Sequence, residues 1–257
     1  MLCCRIIAER LRPPYRPRII AETDEFVVID KPPFLQAHPT RPGDSGTLWD
    51  ELRALFAYEV ANGGQVSLIN RLDRETSGLT LVAKQLAAAR DFSTRMMERA
   101  FEKEYLAIVF GWTAEDQWRV EAPLLRQGRM RPSPVWLKQC VHPEGASAAT
   151  HFRTEQRFER EGRKFSLVRA FPETGRMHQI RVHLAESGHP IVGDKLYLDE
   201  ACYLEFIETG WTPKLAGKLL LSRQALHATR LAVGEWDWQC PLPLDLAEWI
   251  SGTPLIQ

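Results

Sequence analysis

The sequence has no apolar run that approaches the roughly 18 residues a membrane-spanning helix needs. Its start carries Arg5, Arg10 and Arg12 without the apolar stretch of a secretion signal behind them, so a cytoplasmic protein is expected. Cysteine is scarce and unpatterned. Cys3, Cys4, Cys140, Cys202 and Cys240 are odd in number and form no CxxC pair, against a disulfide framework or a four-cysteine zinc site. Cys140 with His142 would be half a metal site, but no second ligand pair has the usual spacing, and both read as structural. No internal repeat, heptad run or low-complexity block occurs, so the chain is read element by element. No GxSxG elbow is present, and Gly43-Asp44-Ser45-Gly46 has only 44 residues before its serine. That leaves no room for the His and Asp that precede the serine in a chymotrypsin-like body.

What is present is ordinary for a folded chain: 257 residues, 44% hydrophobic and 26% charged. That length is near the upper limit for one core, so one large domain or a catalytic body with small appendages is expected. Net charge is zero, yet it is unevenly spread. Residues 1–20 hold five Arg against Glu9, residues 153–181 hold eight basic side chains against four Glu, and residues 232–257 hold four acids and no Lys or Arg. This allows a basic face for phosphates, although solvated helix faces account for charge alone equally well. Arginine makes up 25 of the 33 basic residues, which suits bidentate phosphate contact and stacking on bases.

Along the chain, the Pro-rich residues 13–17 read as an extended arm. Phe26 to Ile29 reads as a buried strand running into Asp30-Lys31-Pro32-Pro33. Thr47 with Asp50 forms a capping box for a helix over 48–61 that Gly63-Gly64 ends. Strands are expected at 66–69, 79–83, 105–110 and 163–171, and helices at 85–99 and 177–187. Interleaving without βαβ regularity favours an α+β fold with a mostly antiparallel, twisted, mixed sheet flanked by helices. Trp211, Trp236, Trp238 and Trp249 lie in acidic surroundings and are expected in core packing or a lid rather than on a base-stacking surface.

Two polar clusters stand out. Asn70-Arg71-Leu72-Asp73-Arg74-Glu75-Thr76-Ser77-Gly78-Leu79 sits on a loop between apolar strands; turn formation explains such residues as readily as chemistry does. Thr174-Gly175-Arg176-Met177-His178-Gln179-Ile180-Arg181-Val182-His183 lies at a helix start, where free amides suit an anion. At least one of its basic residues should point inward, and a buried Arg calls for a carboxylate, for which Asp73 or Glu75 would serve.

These motifs, about 100 residues apart, resemble those of the RluA-type pseudouridine synthases. Asp30-Lys31-Pro32 with His38-Pro39, Glu104-Tyr105, Gly193-Asp194 and Leu226-His227-Ala228 match in the same order. The resemblance implies a catalytic domain, expected over 20–257 behind an Arg/Pro-rich arm over 1–19; many relatives also carry an N-terminal S4-like RNA-binding domain, for which the residues before Ile20 are expected to be too few. It implies the pseudouridine synthase catalytic fold and isomerisation of a uridine in rRNA or tRNA, with no cofactor and no metal. RNA is the implied partner, a monomer without an obligate protein partner is expected, and no membrane is involved.

By motif position, Asp73 is similar to the family's essential aspartate, Tyr105 to the tyrosine that stacks on the target uracil, and Arg181 to the arginine that pairs with the carboxylate. Arg71 matches the residue that fills the gap left by the flipped base. Arg74, Thr76, Arg176, His178 and Gln179 complete the candidate RNA contacts. An Arg beside an Asp keeps it ionised and oriented. A base must leave its stack before it can be detached and turned. The sequence departs from the family where Asn70 stands in place of the usual His, and Pro33-Phe34 in place of a Gly. A rival reading is a catalytically inactive RNA-binding or chaperone module on the same fold. The joint presence of Asp73, Tyr105 and Arg181 speaks against it.

Overall fold

The computed structural model describes residues 17–40 and 43–252. Of the expected arm over 1–19, all but residues 17–19 lies outside the described residues, as do Cys3 and Cys4. The order begins β1 (Arg18–Glu22), β2 (Phe26–Lys31), α1 (Leu48–Leu55), α2 (Ala57–Ala61), β3 (Ser67–Leu68), β4 (Ser77–Ala83) and α3 (Leu86–Met97). It continues through β5 (Glu102–Phe110), β6 (Gln117–Glu121), β7 (Leu124–Arg126), β8 (Gln139–Val141), β9 (Ala149–Arg160), β10 (Arg163–Pro172) and α4 (Gln179–Glu186). Last come α5 (Glu200–Thr209), α6 (Pro213–Leu219), β11 (Leu226–Val233), β12 (Trp236–Gln239) and α7 (Leu244–Ser251). Strands and helices fall into two compact units, one of residues 17–103 with His227–Pro241, the other of Glu104–Leu226 with residues 242–252.

In the first unit β4 is central. It pairs antiparallel with β2, Lys31 opposite Gly78, and parallel with β11, His227 opposite Ser77. All seven residues of β4 are buried, which explains why Leu79–Ala83 reads as an unbroken apolar run. Gly78 (φ +112°) is required here, because a Cβ would lie 2.2 Å from the carbonyl oxygen of Ala228. Phe26 meets Phe92 and Trp238 edge to face, with centroids 5.5 Å apart in both pairs. Full burial of such a ring contributes about 1.5–3 kcal/mol. The capping box at Thr47 forms as expected. The helix read over 48–61 breaks at Phe56, whose ring joins Leu48, Leu52, Val66 and Val82 in a second cluster. Packing outweighs helix continuity there.

The second unit is an antiparallel sheet in the order β5-β10-β9-β6, with β7 and β8 forming a separate ribbon. The β9–β10 hairpin closes through Glu161 (φ 51°) and Gly162 (φ 70°), the two left-handed residues of a tight turn that matches strand twist. Its core gathers Ile108, Phe152, Phe165, Val168, Leu184 and Trp249. Trp249 and Trp238 are buried, Trp211 packs on Cys202 and Leu215, and Trp236 stacks on Trp238. These tryptophans are packing residues, as expected. The chain is α+β with mostly antiparallel pairing, as read from the sequence. The reading missed β1, β6 to β9, α5 to α7 and β12.

Candidate active site

In the first unit, residues 70–77 form the loop that enters β4, and its two ends are fixed. Asn70 is the entry anchor: its side-chain nitrogen donates to the carbonyl of Leu79 at 3.0 Å and its oxygen accepts from the amide of Leu81 at 2.8 Å. The position where the resemblance leads one to expect His thus holds a neutral amide that answers one donor and one acceptor of the strand. Toward the exit, the amide of Thr76 donates to the carbonyl of Asp73 at 3.1 Å. The Ser77 hydroxyl lies 3.0 Å from Nδ1 of buried His227. Beneath the loop, fully buried Lys31 donates from Nζ to the carbonyls of Pro32 at 2.8 Å, Leu35 at 2.9 Å and Arg74 at 3.3 Å. A buried ammonium is tolerated only when its protons are satisfied. Here they tie the turn after β2 to the loop at 70–77.

Asp73 is half-buried at the tip, between exposed Arg71 and exposed Arg74. Arg74 donates from Nε to the carbonyl of Phe34 at 3.3 Å. Thr76, by contrast, is 2% exposed. It belongs to the fold of the loop rather than to a surface that RNA could reach.

In the second unit, α4 is buried along Gln179, Ile180, Arg181, Val182, His183 and Leu184. Arg181 is the inward-pointing basic residue the sequence called for. Its Nε donates to Asp194 Oδ2 at 2.7 Å and its Nη2 to Oδ1 at 2.9 Å, a bidentate pair with Asp194 fully buried. Asp194 Oδ1 also accepts from the amides of Leu196 and Tyr197. Burial alone would push this carboxyl up, but the Arg181 charge and hydrogen bonds, with those two amides, outweigh it and hold it below the usual carboxylate range. Gly193 (φ +78°) makes the approach possible, since a Cβ there would lie 1.9 Å from the carbonyl oxygen of Arg223. The Arg181 guanidinium lies 4.9 Å over the Tyr197 ring, and the Tyr197 hydroxyl is 2.8 Å from Nδ1 of His178.

His178 begins α4 in the left-handed region (φ 58°). Gln179 is 4% exposed and its amide is fully engaged: Oε1 accepts from the Thr174 hydroxyl and the Arg176 amide, while Nε2 donates to Ala149 and Thr150. Grouped by sequence with the RNA contacts, Gln179 is a framework residue. Arg176 is exposed and donates from Nε to the carbonyl of Ser147. Tyr105 sits half-buried near the start of β5, opposite Ala170 of β10, beside a Glu104–Arg169 ion pair of 2.7 Å.

Sequence reasoning passed over Lys31, Asp194 and Tyr197 as site residues. The signal for Asp194 was the demand of a buried arginine for a carboxylate. Asp194 lies 13 residues from Arg181 and follows a glycine that lets the backbone close in. Cys140 donates to the carbonyl of Leu125 at 3.5 Å and His142 Nδ1 accepts from the Glu144 amide. No cluster of three or more potential metal ligands occurs among the described residues. Nor is any helix among them long and apolar enough to cross a membrane.

Comparison with known proteins covers the same elements. The model of the RNA pseudouridylate synthase family matches residues 25–186, a span that contains Asp73, Tyr105 and Arg181. The chain is 35% identical over 247 residues to ribosomal large subunit pseudouridine synthase D of Haemophilus ducreyi, with 91% of this chain and 69% of that protein covered. Identity to the protein of the same name from Escherichia coli strain K12 is 33% over 247 residues, with the same shares. Among solved structures, human RNA pseudouridylate synthase domain containing 4 aligns with a TM-score of 0.72 at 21% identity, covering 96% of this chain and 95% of that one. Human RNA pseudouridylate synthase domain containing 1 aligns with a TM-score of 0.69 at 23% identity, covering 95% and 90%. At such identities the structural likeness speaks for the fold.

Proposed function

From the premise that the chain belongs to the RNA pseudouridylate synthase family, of the RluA type, and isomerises uridine to pseudouridine in RNA, we propose that Asp73 is its essential carboxylate and that its substrate is the RNA of the large ribosomal subunit. The relatives' names, ribosomal large subunit pseudouridine synthase D, support this choice of substrate. The reading is carried by one observation: the matched span holds a half-buried Asp on a loop whose ends are clamped, together with a buried Arg and a Tyr at a strand start.

In this reading Asp73 bonds to the sugar or base of the target nucleoside, the N1–C1′ bond breaks, the turned base forms the C5–C1′ bond, the Asp73 adduct is released, and carbon 5 loses its proton with help from Tyr105 while nitrogen 1 gains one. By the resemblance Arg181 is the arginine partner of the catalytic carboxylate, and Asp194 holds Arg181 in place. Extrusion of the base costs a few kcal/mol. Stacking on Tyr105 returns about 1–3 kcal/mol of this, and Arg71 fills the gap left in the helix. Residues 20–257 act as one catalytic domain that needs neither cofactor nor metal.

The test is incubation with bulk rRNA and tRNA, followed by mapping of pseudouridine by chemical labelling. New pseudouridine in large-subunit rRNA is expected. Pseudouridine confined to tRNA would overturn the substrate, and modification of neither pool would favour the binding-module reading.

A further inference from the structure

In the second unit most arginines are tied to carboxylates: Arg119 to Glu173, Arg153 and Arg169 to Glu155, Arg157 to Asp116, and Arg223 to Asp245. One stretch differs. Residues 122–143 hold Arg126, Arg129, Arg131 and Lys138 and no Asp or Glu. Lys138 pairs with Glu200 at 2.7 Å, whereas none of these three arginines has a carboxylate partner among the described residues. Their charge is available to an outside anion.

The same stretch exposes an aromatic ring. Trp136 is 70% exposed, flanked by Leu137 at 47%, with Met130 at 45%. The guanidinium of Arg126 lies 4.3 Å from the Trp136 ring centroid, so one face is backed by a cation while most of the ring stands in solvent. The support is ordered: β7 pairs with β8, Gln127 donates its amide to Lys138 at 2.8 Å, and Val135 is buried. The ribbon is also tied to the Arg181 cluster. The Gln139 amide donates at 3.0 Å to the Tyr197 hydroxyl that meets His178. Gln139 lies three positions after Trp136, a reach of about 10 Å at most.

We propose that Trp136, backed by Arg126, is a stacking platform for an unpaired base of the substrate RNA, with Arg129 and Arg131 on the flanking phosphates. The proposal rests on the reading of this chain as an RNA uridine isomerase. An exposed flat ring beside unpaired guanidiniums matches the alternation of base and phosphate in single-stranded RNA. An acidic peptide would answer the arginines and leave the indole without a flat partner.

The experiment compares wild type with Trp136→Ala, Trp136→Phe and the double variant Arg129→Ala/Arg131→Ala on a large-subunit rRNA transcript, measuring both turnover and direct binding. Trp136→Ala should raise KM and Kd about tenfold, the size of one lost base stack, with kcat within twofold. Trp136→Phe should recover most of the loss. The double variant should flatten the salt dependence of binding by roughly 1.5 in the log–log slope. Unchanged KM and Kd in Trp136→Ala would overturn the platform. So would a defect seen only on assembled ribosomal particles, which would make the surface a protein contact. A wild type that binds the transcript and modifies nothing overturns the isomerase reading instead, and the binding arm still reports on the platform.

Discussion

The loop at 70–77 and the cluster around Arg181 hold charged groups by opposite means. The loop is anchored through hydrogen bonds to strand and turn backbone, from Asn70, Lys31 and Thr76, all at its ends or beneath it. Its tip, with Arg71 and Arg74, is exposed. The Arg181 cluster is held by a buried bidentate ion pair, with a ring against the guanidinium and two amides on the carboxylate. A loop held by single hydrogen bonds around exposed residues can adjust when a nucleotide arrives. A buried pair cannot adjust without exposing a charge. The carboxylate proposed to meet the substrate is thus held differently from a charge whose place must not change.

The largest effect that would test this division is on turnover. Asp73→Asn keeps the shape of the tip and removes the proposed nucleophile, so isomerisation should fall by on the order of 10⁴-fold or more, while RNA affinity stays within a few fold. Retained turnover would sink the role of Asp73. Next in size are changes to the pair. Arg181→Met leaves Asp194 buried without its cation, an expected loss of about 3–5 kcal/mol in stability along with activity. If the two residues act as a unit, adding Asp194→Leu to Arg181→Met should restore much of the melting temperature without restoring turnover. Additive losses in the double variant would show that the pair is not the energetic unit described here.

Smaller effects are expected at the loop anchors. Asn70→Ala orphans the Leu79 carbonyl and the Leu81 amide, at about 1–3 kcal/mol. Because the strand itself is buried on all sides, the damage should concentrate at the loop entry. Hydrogen exchange should speed at Leu81 and the loop amides while the Arg181 helix keeps its protection. Equal loosening in both regions would contradict their separate support.

How far this division was visible in the sequence follows from the same contrast. The buried strand into Lys31, the capping box at Thr47, the strand at 79–83 and the helix near 86–97 were legible because local pattern decides them. The long hairpin of β9 and β10 was only half legible, since Glu161 takes a left-handed turn position that pattern assigns to Asn or Gly. Asp73 and Arg181 stood out in dense polar motifs. Asp194 and Lys31 appeared only as matched motif positions without a role, because their importance lies in being fully buried, and nothing in a charged residue's own letter marks it as interior. Asn70 read as a missing titratable group, and its two strand hydrogen bonds give it a reason that needs no titration.

The finest expected difference between the two regions is in their response to pH, and it centres on His183. This side chain is fully buried on α4, with Nε2 3.0 Å from the Ala122 carbonyl and Nδ1 3.0 Å from the Thr150 hydroxyl. The neutral ring fits both, donating from Nε2 and accepting at Nδ1. Burial pushes its pKa down, opposed by the bond to Ala122. The unfolded chain, with a value near 6.5, therefore takes up the proton first. Stability is fully present above about pH 6.5 and is lost as pH falls from there toward the folded value, by up to about 1.4 kcal/mol per unit. Asp194, held below the usual carboxylate range, adds its own loss only under about pH 4. Between pH 6.5 and 5 the wild-type melting temperature should decline, and His183→Gln, which keeps a donor and an acceptor without a titrating ring, should flatten that decline. An identical slope in the variant would remove His183 from the account. The loop's anchor, Asn70, has no proton to exchange in this range, so hydrogen-exchange protection at Leu81 should be unchanged across it once the intrinsic rate is corrected for.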